Sequence, residues 1–196
     1  MRRLPRRFYR RDPREVAPDL LNKLLVRGPL VARIVETEAY CGGEDPGSHA
    51  FRGPTPRTTT MFGLGGHLYV YFTYGMHWCA NAVCGEMGEG GAVLLRAAAP
   101  LRGIAAMQAS RPAAKRERDL CSGPAKLCQA FGLTGAHDGA DLVRADRGVT
   151  IADDGTPPPK DPANGLRVGL TAGADLPYRW WVAGDPNVSR GPVSGG

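Results

Sequence analysis

The sequence predicts an α+β fold: a single compact domain in which a mixed, largely antiparallel, curved sheet carries flanking helices and a protruding β-hairpin. Three observations lead there. The 196 residues amount to about one domain, and 42% of them are hydrophobic, enough for an ordinary buried core. With 27 Gly and 17 Pro the chain is broken too often for a helical bundle, and it shows no collagen period. Runs rich in β-branched residues outnumber helical stripes, and most are joined by turns.

Residues 1–14 hold Arg at 2, 3, 6, 7, 10, 11 and 14 with Pro5 and Pro13 between them. They read as a basic arm, suited to a phosphate backbone and equally to a solvated tail, ahead of a domain over 15–190 and a tail over 191–196. Asp12-Pro13 is a helix entry, an N-cap followed by proline at the first helical position, and Leu20, Leu21, Leu24 and Leu25 carry the helix to about Leu25. Leu30 to Tyr40, β-branched in its middle and preceded by Gly28-Pro29, is a strand. From Cys41 to Gly66 the chain turns to Gly, Pro, Thr, Asp and Arg, longer than a connection needs, and is expected to form an active-site loop.

Leu68 to Thr73 and His77 to Cys84 flank Tyr74-Gly75-Met76 as a hairpin. Gly91 to Ala98 is a further strand, Pro100 opens a helix through about Ala109, and Arg111 to Arg118 is a basic exposed loop. Ser122, with Pro124 just inside, caps a helix that Gly132 ends and that buries Leu127 and Phe131. Short strands are expected at Val149 to Ile151, Leu166 to Leu170 and Tyr178 to Val182.

The formal charge of +6 points to an anionic partner, or to an Arg-, Ala- and Gly-rich genomic composition. Lys stands only at 23, 115, 126 and 160, so 21 of the 25 cations are Arg, whose planar fork suits phosphate. No apolar run approaches the roughly 18 residues a bilayer span needs, and arginines stand where a signal peptide would be apolar. A soluble cytoplasmic protein is expected. Cys41, Cys79, Cys84, Cys121 and Cys128 form no Cys-x-x-Cys pair and no zinc spacing, so free thiols and no metal are expected.

Three segments concentrate chemistry. Strand alternation puts Glu36, Glu38 and Tyr40 on one face at the mouth of the long loop. Neighbouring carboxylates on one strand rarely flank a scissile bond from two sides, so one working carboxylate is the economical reading, and a solvated strand edge with salt bridges is its rival. Five aromatic residues fall within 69–78, and Tyr74 at the hairpin tip, where Gly, Asn or Asp is usual, suits stacking on bases or wedging into a duplex. Asn81 stands on the returning strand and Arg96 on the next. An Arg after four apolar residues pairs with a buried acid, and against Glu38 it is expected to lower the carboxyl pKa and keep it ionised to polarise a water. The four histidines, at 49, 67, 77 and 137, share no metal-binding spacing.

Together these residues resemble the alkyladenine (3-methyladenine) DNA glycosylase family. The likeness runs from about Arg33 to Phe131 and resumes at Tyr178 to Ser189. Its specific motifs are Arg33-Ile-Val-Glu-Thr-Glu-Ala-Tyr40, Leu68-Tyr-Val-Tyr-Phe-Thr-Tyr-Gly-Met76, Val93-Leu-Leu-Arg96 and Leu120-Cys-Ser-Gly-Pro-Ala-Lys-Leu-Cys-Gln129. The resemblance implies that Glu38 deprotonates the attacking water, with Arg96 helping to hold it. It implies that Tyr40, His49 and Tyr71 line the base pocket, that Asn81 disfavours guanine there, and that Tyr74 intercalates. His77 and Ala92 stand where relatives can have Tyr and Cys.

The implied enzyme needs no cofactor, acts as a monomer on damaged double-stranded DNA, and is nucleoid-associated. None of the four lysines lies in a pocket motif, so lyase chemistry through a Schiff base is not expected. The competing reading is a non-catalytic nucleic-acid-binding module. A zinc nucleobase deaminase also flips bases, but its His-x-Glu and Pro-Cys-x-x-Cys signature is absent.

Overall fold

The computed structural model describes residues 1–190, so the tail expected over 191–196 lies outside the described residues. In chain order the elements are β1 (Arg2–Arg3), α1 (Arg6–Tyr9), α2 (Pro13–Asp19), β2 (Leu24–Arg27), β3 (Leu30–Cys41), β4 (His67–Thr73), β5 (His77–Cys84), β6 (Gly91–Arg102), α3 (Ile104–Ser110), α4 (Pro124–Phe131), β7 (Ala140–Asp141), β8 (Val149–Asp153), β9 (Ala163–Gly165) and β10 (Arg179–Trp181). The strands form one sheet in the order β1-β8-β2-β3-β6-β5-β4-β7, with β10 and β9 joined to β3. Every strand pairing among the described residues is antiparallel, which simplifies the expected mixed sheet.

The α+β fold and the hairpin are as the sequence predicts. Strand β3 is the axis: β6 runs along one side, while β2 covers the first half of the other side and β10 the second. Helix α4 packs on β5 and β6 and sends Leu127, Cys128, Ala130 and Phe131 into the core shared with Leu68, Ala82 and Leu95.

Several boundaries differ from expectation. The first fourteen residues do not stand away as an arm. Arg2 and Arg3 pair with Asp153 and Ala152, Tyr9 is fully buried, and Arg6 bridges to Asp141 at 2.6 Å. The apolar Leu4 and Tyr9 between the arginines drive this docking. Helix α2 begins as read, with the Asp12 side chain accepting from the Arg14 N–H at 2.7 Å, but ends at Asp19. Leu24 and Leu25 belong to β2, which is paired on both sides by β3 and β8.

Strand β6 continues through Pro100 to Arg102, and the helix starts only after Gly103, whose left-handed φ of +75° turns the chain. Proline is tolerated there because β5 pairs β6 only as far as Leu94, so that side of Pro100 faces no strand ladder. At α4 the N-cap is Gly123 rather than Ser122, with no side-chain cap bond. Leu166 to Leu170 forms no strand; the short strand lies just before it at β9.

Candidate active site

Alternation on β3 turns Glu36, Glu38 and Tyr40 to one face, and the register sets Glu38 opposite Leu94 on β6 and Arg179 on β10. Carboxylates in mid-sheet are not solvated: Glu36 and Glu38 are both 0% exposed, which excludes the strand-edge reading. Buried carboxylates require donors. Glu36 is saturated by them. Its Oε1 accepts from Arg96 Nε at 2.8 Å, Arg179 Nε at 2.7 Å and Ser189 Oγ at 2.9 Å, and its Oε2 accepts from the Ser189 N–H at 2.7 Å.

Glu38 is held more sparingly. The Val168 N–H donates to Oε1 at 2.8 Å, Arg96 Nη1 lies 3.2 Å from the same oxygen, and the Tyr40 hydroxyl donates to Oε2 at 2.9 Å. Arg96 reaches both acids because of the backbone. The ladder pairs Ile34 with Ala98, Glu36 with Ala97 and Thr37 with Leu95, leaving Val35 and Arg96 as extra residues at paired bulges. A bulge re-aims a side chain, and here it sets the guanidinium between the two carboxylates.

The expected pairing of Arg96 with Glu38 is present, but its expected electrostatic result is not. Burial pushes the Glu38 carboxyl above the ordinary carboxylate range, against the opposing pull of Arg96, the Val168 N–H and the Tyr40 hydroxyl. Arg96 divides its charge between two acids, so it cannot fully offset the loss of water around one of them.

Tyr40, His49, Tyr71 and Asn81 come together around one pocket, completed by Gly47, Met61, Tyr69 and Leu170. The His49 ring meets Tyr71 edge-on, with centroids 4.5 Å apart, and Tyr71 stacks on Tyr69 at 5.4 Å. His49 Nδ1 lies 3.3 Å from the Tyr69 hydroxyl, and burial together with Arg57 lowers its pKa, so the ring is neutral at pH 7. Asn81 is buried and donates from Nδ2 to the Tyr69 carbonyl at 3.3 Å. The long loop after β3 does line the pocket, supplying Gly47, His49 and Met61.

Tyr74 lies apart from this pocket, 81% exposed at the hairpin tip. Tyr74 and Gly75 have φ of +51° and +66°, and the Met76 N–H donates to the Thr73 carbonyl. Two successive positive φ values give the type I′ sense that matches strand twist, and Tyr74 is exposed there, as are the nearby Phe72 and Met76.

A wider open cleft of about 660 Å³ lies on another side of Arg96, lined by Arg116, Arg118, Lys126, Ser189 and Arg190. It is cationic, while the aromatic pocket is the smaller site, joined to Glu38 through the Tyr40 hydroxyl. Among the described residues no three His, Cys, Asp or Glu side chains gather where a metal ion could sit, and no helix is long and apolar enough to cross a membrane.

Sequence reasoning missed Arg167, Arg179, Asp45 and Ser189. Arg167 and Arg179 each sit among apolar or aromatic neighbours, the same signal that singled out Arg96. Asp45 lies inside the expected active-site loop, but no spacing singles it out there, and Ser189 offers no such signal either.

The model of the methylpurine-DNA glycosylase family matches residues 7–186. Among similar curated proteins, one from Burkholderia lata is 56% identical over 97% of this chain and 92% of its own length. One from Streptomyces avermitilis is 45% identical over 95% of this chain and 90% of its own length. One from Carboxydothermus hydrogenoformans is 45% identical over 95% and 98%. All three are named, provisionally, as 3-methyladenine DNA glycosylases. A match across nearly the whole domain, together with an acid–Arg pair beside an aromatic pocket, establishes that the chain belongs to the methylpurine-DNA glycosylase family.

Proposed function

We propose that the protein is a monofunctional DNA glycosylase that removes alkylated or deaminated purines, of the 3-methyladenine, 7-methylguanine, hypoxanthine and ethenoadenine class, from duplex DNA. The observation that carries this reading is Glu38, buried yet bonded to the hydroxyl of Tyr40 on the pocket wall and to Arg96. The names of its relatives, which mention 3-methyladenine alone, support the alkylated-purine part of that range. A module that only binds nucleic acid has no use for such a carboxylate.

The nucleotide leaves the stack at a cost of about a few kcal/mol, and Tyr74 fills the gap. The purine enters between Tyr40 and the wall made by Tyr71 and His49. Water held by Glu38 and Arg96 adds to C1′ and gives its proton to Glu38, while the electron pair of the C1′–N bond departs with the base. A cationic alkylpurine leaves as a neutral molecule, so one carboxylate suffices. A neutral lesion needs help for its departing electron pair, and no residue is assigned to that step. The product is an abasic site in an intact strand.

Release of free base from duplexes carrying 3-methyladenine or hypoxanthine tests the reading, with retention of every base as the contrary result. No Lys lines the pocket, so borohydride added during turnover should trap no protein–DNA adduct. The reading carries with it a monomer working on chromosomal DNA in the cytoplasm.

A further inference from the structure

The Tyr40 ring has a buried cation behind it. Arg167 Cζ lies 4.7 Å from the Tyr40 centroid and 5.4 Å from that of Tyr178. Its side chain is fully buried and forks onto Asp45, with Nη1 2.5 Å from Oδ2 and Nη2 2.7 Å from Oδ1. It also donates to the carbonyls of Ala39 and Gly173. Asp45 accepts in turn from the N–H groups of Cys41 and Gly47. Burial pushes the Asp45 carboxyl up, but its bonds with Arg167 and these two N–H groups hold it below the usual carboxylate range. Tyr40 and Gly47 line the base pocket and Arg167 does not, so the guanidinium lies within the pocket wall rather than in the cavity.

No step of the proposed reaction uses this pair. As a mechanical tie between the His49 loop and the segment bearing Val168 and Leu170, a buried ion pair is a poor choice, because desolvation offsets most of its attraction. Its charge has a more specific consequence. A cationic purine stacked on the open face of Tyr40 would stand about 8 Å from the Arg167 charge, a distance at which like charges in a poorly solvated site repel appreciably. Bidentate Asp45 cancels that repulsion.

We propose that Arg167 and Asp45 are positioning residues that set the preference between cationic alkylpurines and neutral deaminated purines, through the net charge they hold behind Tyr40. This rests on the glycosylase reading. Asp45→Asn leaves a positive charge behind the ring and disfavours a cationic base. Arg167→Gln leaves a negative charge and favours it. Removing both charges restores the neutral background of the native pair.

The test is kcat/KM for release of 7-methylguanine, cationic in DNA, and of hypoxanthine, neutral, measured on the same preparation of each enzyme. The ratio of the two is independent of the folded fraction, so a partly destabilised variant is still informative. Asp45→Asn should lower the ratio of cationic to neutral release by on the order of tenfold, and Arg167→Gln should raise it by a similar factor. The double variant, which leaves no unpaired buried charge and folds most readily of the three, should return to within about threefold of wild type. Unchanged ratios, shifts of the same sign in both single variants, or a double variant far from wild type would overturn the proposal. Wild-type enzyme that releases neither base refutes the glycosylase reading, and this inference with it. Release of both with unshifted ratios refutes this inference alone.

Discussion

Glu38 and Glu36 share a strand face, a partner in Arg96 and complete burial, yet their surroundings fit them for different work. Glu36 has its oxygens filled by two guanidinium groups and Ser189, and so ties β3 to β6, β10 and the segment bearing Ser189. Glu38 keeps a raised pKa beside the pocket. For a carboxyl whose folded pKa stands above its unfolded value of about 4.3, the stabilising contribution is present below that pH and is lost as pH rises through the folded value. Ionised Glu38 therefore weakens the fold in the range where the proposed reaction needs it. Glu38→Gln, which imitates the protonated form, should melt at a higher temperature than wild type at pH 7 to 8, and the gap should close toward pH 4. Coincident melting curves throughout would contradict the burial argument. Tyr74 permits a separate test: Tyr74→Ala should weaken binding of a lesion in duplex DNA, by a stacking contribution of about 1 to 3 kcal/mol, more than binding of the same lesion in a single strand. Equal losses on both would speak against a wedge.

Elements with a one-sided apolar face or an explicit stop were legible in the sequence, and elements whose identity depends on pairing were not. The hairpin β4–β5, with Gly75 in its turn, and α4, closed by Gly132 at φ +61°, carry their own punctuation. Leu24-Leu25 does not, because a strand covered on both faces shows no alternation and reads equally as the end of a helix. Pro100 misled for a related reason: only the partial pairing of β6 makes a strand proline acceptable, and pairing is a tertiary fact. The end of β6 rests on Gly103, where an added Cβ would lie 2.6 Å from Leu30 Cδ2 and 3.2 Å from Leu30 Cα. Gly103→Ala combines that clash with a left-handed φ and should cost about 1 to 3 kcal/mol, read as a lowered denaturation midpoint. An unchanged midpoint would show that the Leu30–Gly103 approach relaxes freely.

Over the whole molecule, Arg96, Arg167 and Arg179 are buried while most other arginines stay exposed, and many of both kinds are tied to acids. Arg6, Arg11, Arg14, Arg33, Arg96, Arg167 and Arg179 all bridge to carboxylates, and the arginines of the first fourteen residues help dock that segment rather than trail from it. Composition could not reveal this, since pairing depends on which acids the fold brings near. The same limit hid Asp45 behind Tyr40, although the family resemblance carried by the motifs sufficed to single out Glu38, Tyr40, His49, Tyr71, Asn81 and Arg96, which the fold gathers at one place. A DNA path across the open cleft would meet Arg116, Arg118 and Lys126 there. Loss of one phosphate contact, as in Arg118→Ala, should flatten the dependence of log affinity on log salt by about 0.9, with little change in lesion preference. A slope equal to that of wild type would remove the cleft from the DNA path.

Glu38 as the water-activating base is the central claim, and single-turnover release of 3-methyladenine from a duplex, measured beside lesion-duplex affinity for wild type and Glu38→Gln, tests it most directly. Wild type should release the base at a rate that rises with pH through a midpoint above the ordinary carboxylate range. Glu38→Gln should bind the same duplex with affinity within about threefold while base release falls by at least about a hundredfold, as loss of a general base entails. Release by Glu38→Gln at a rate near that of wild type would contradict it.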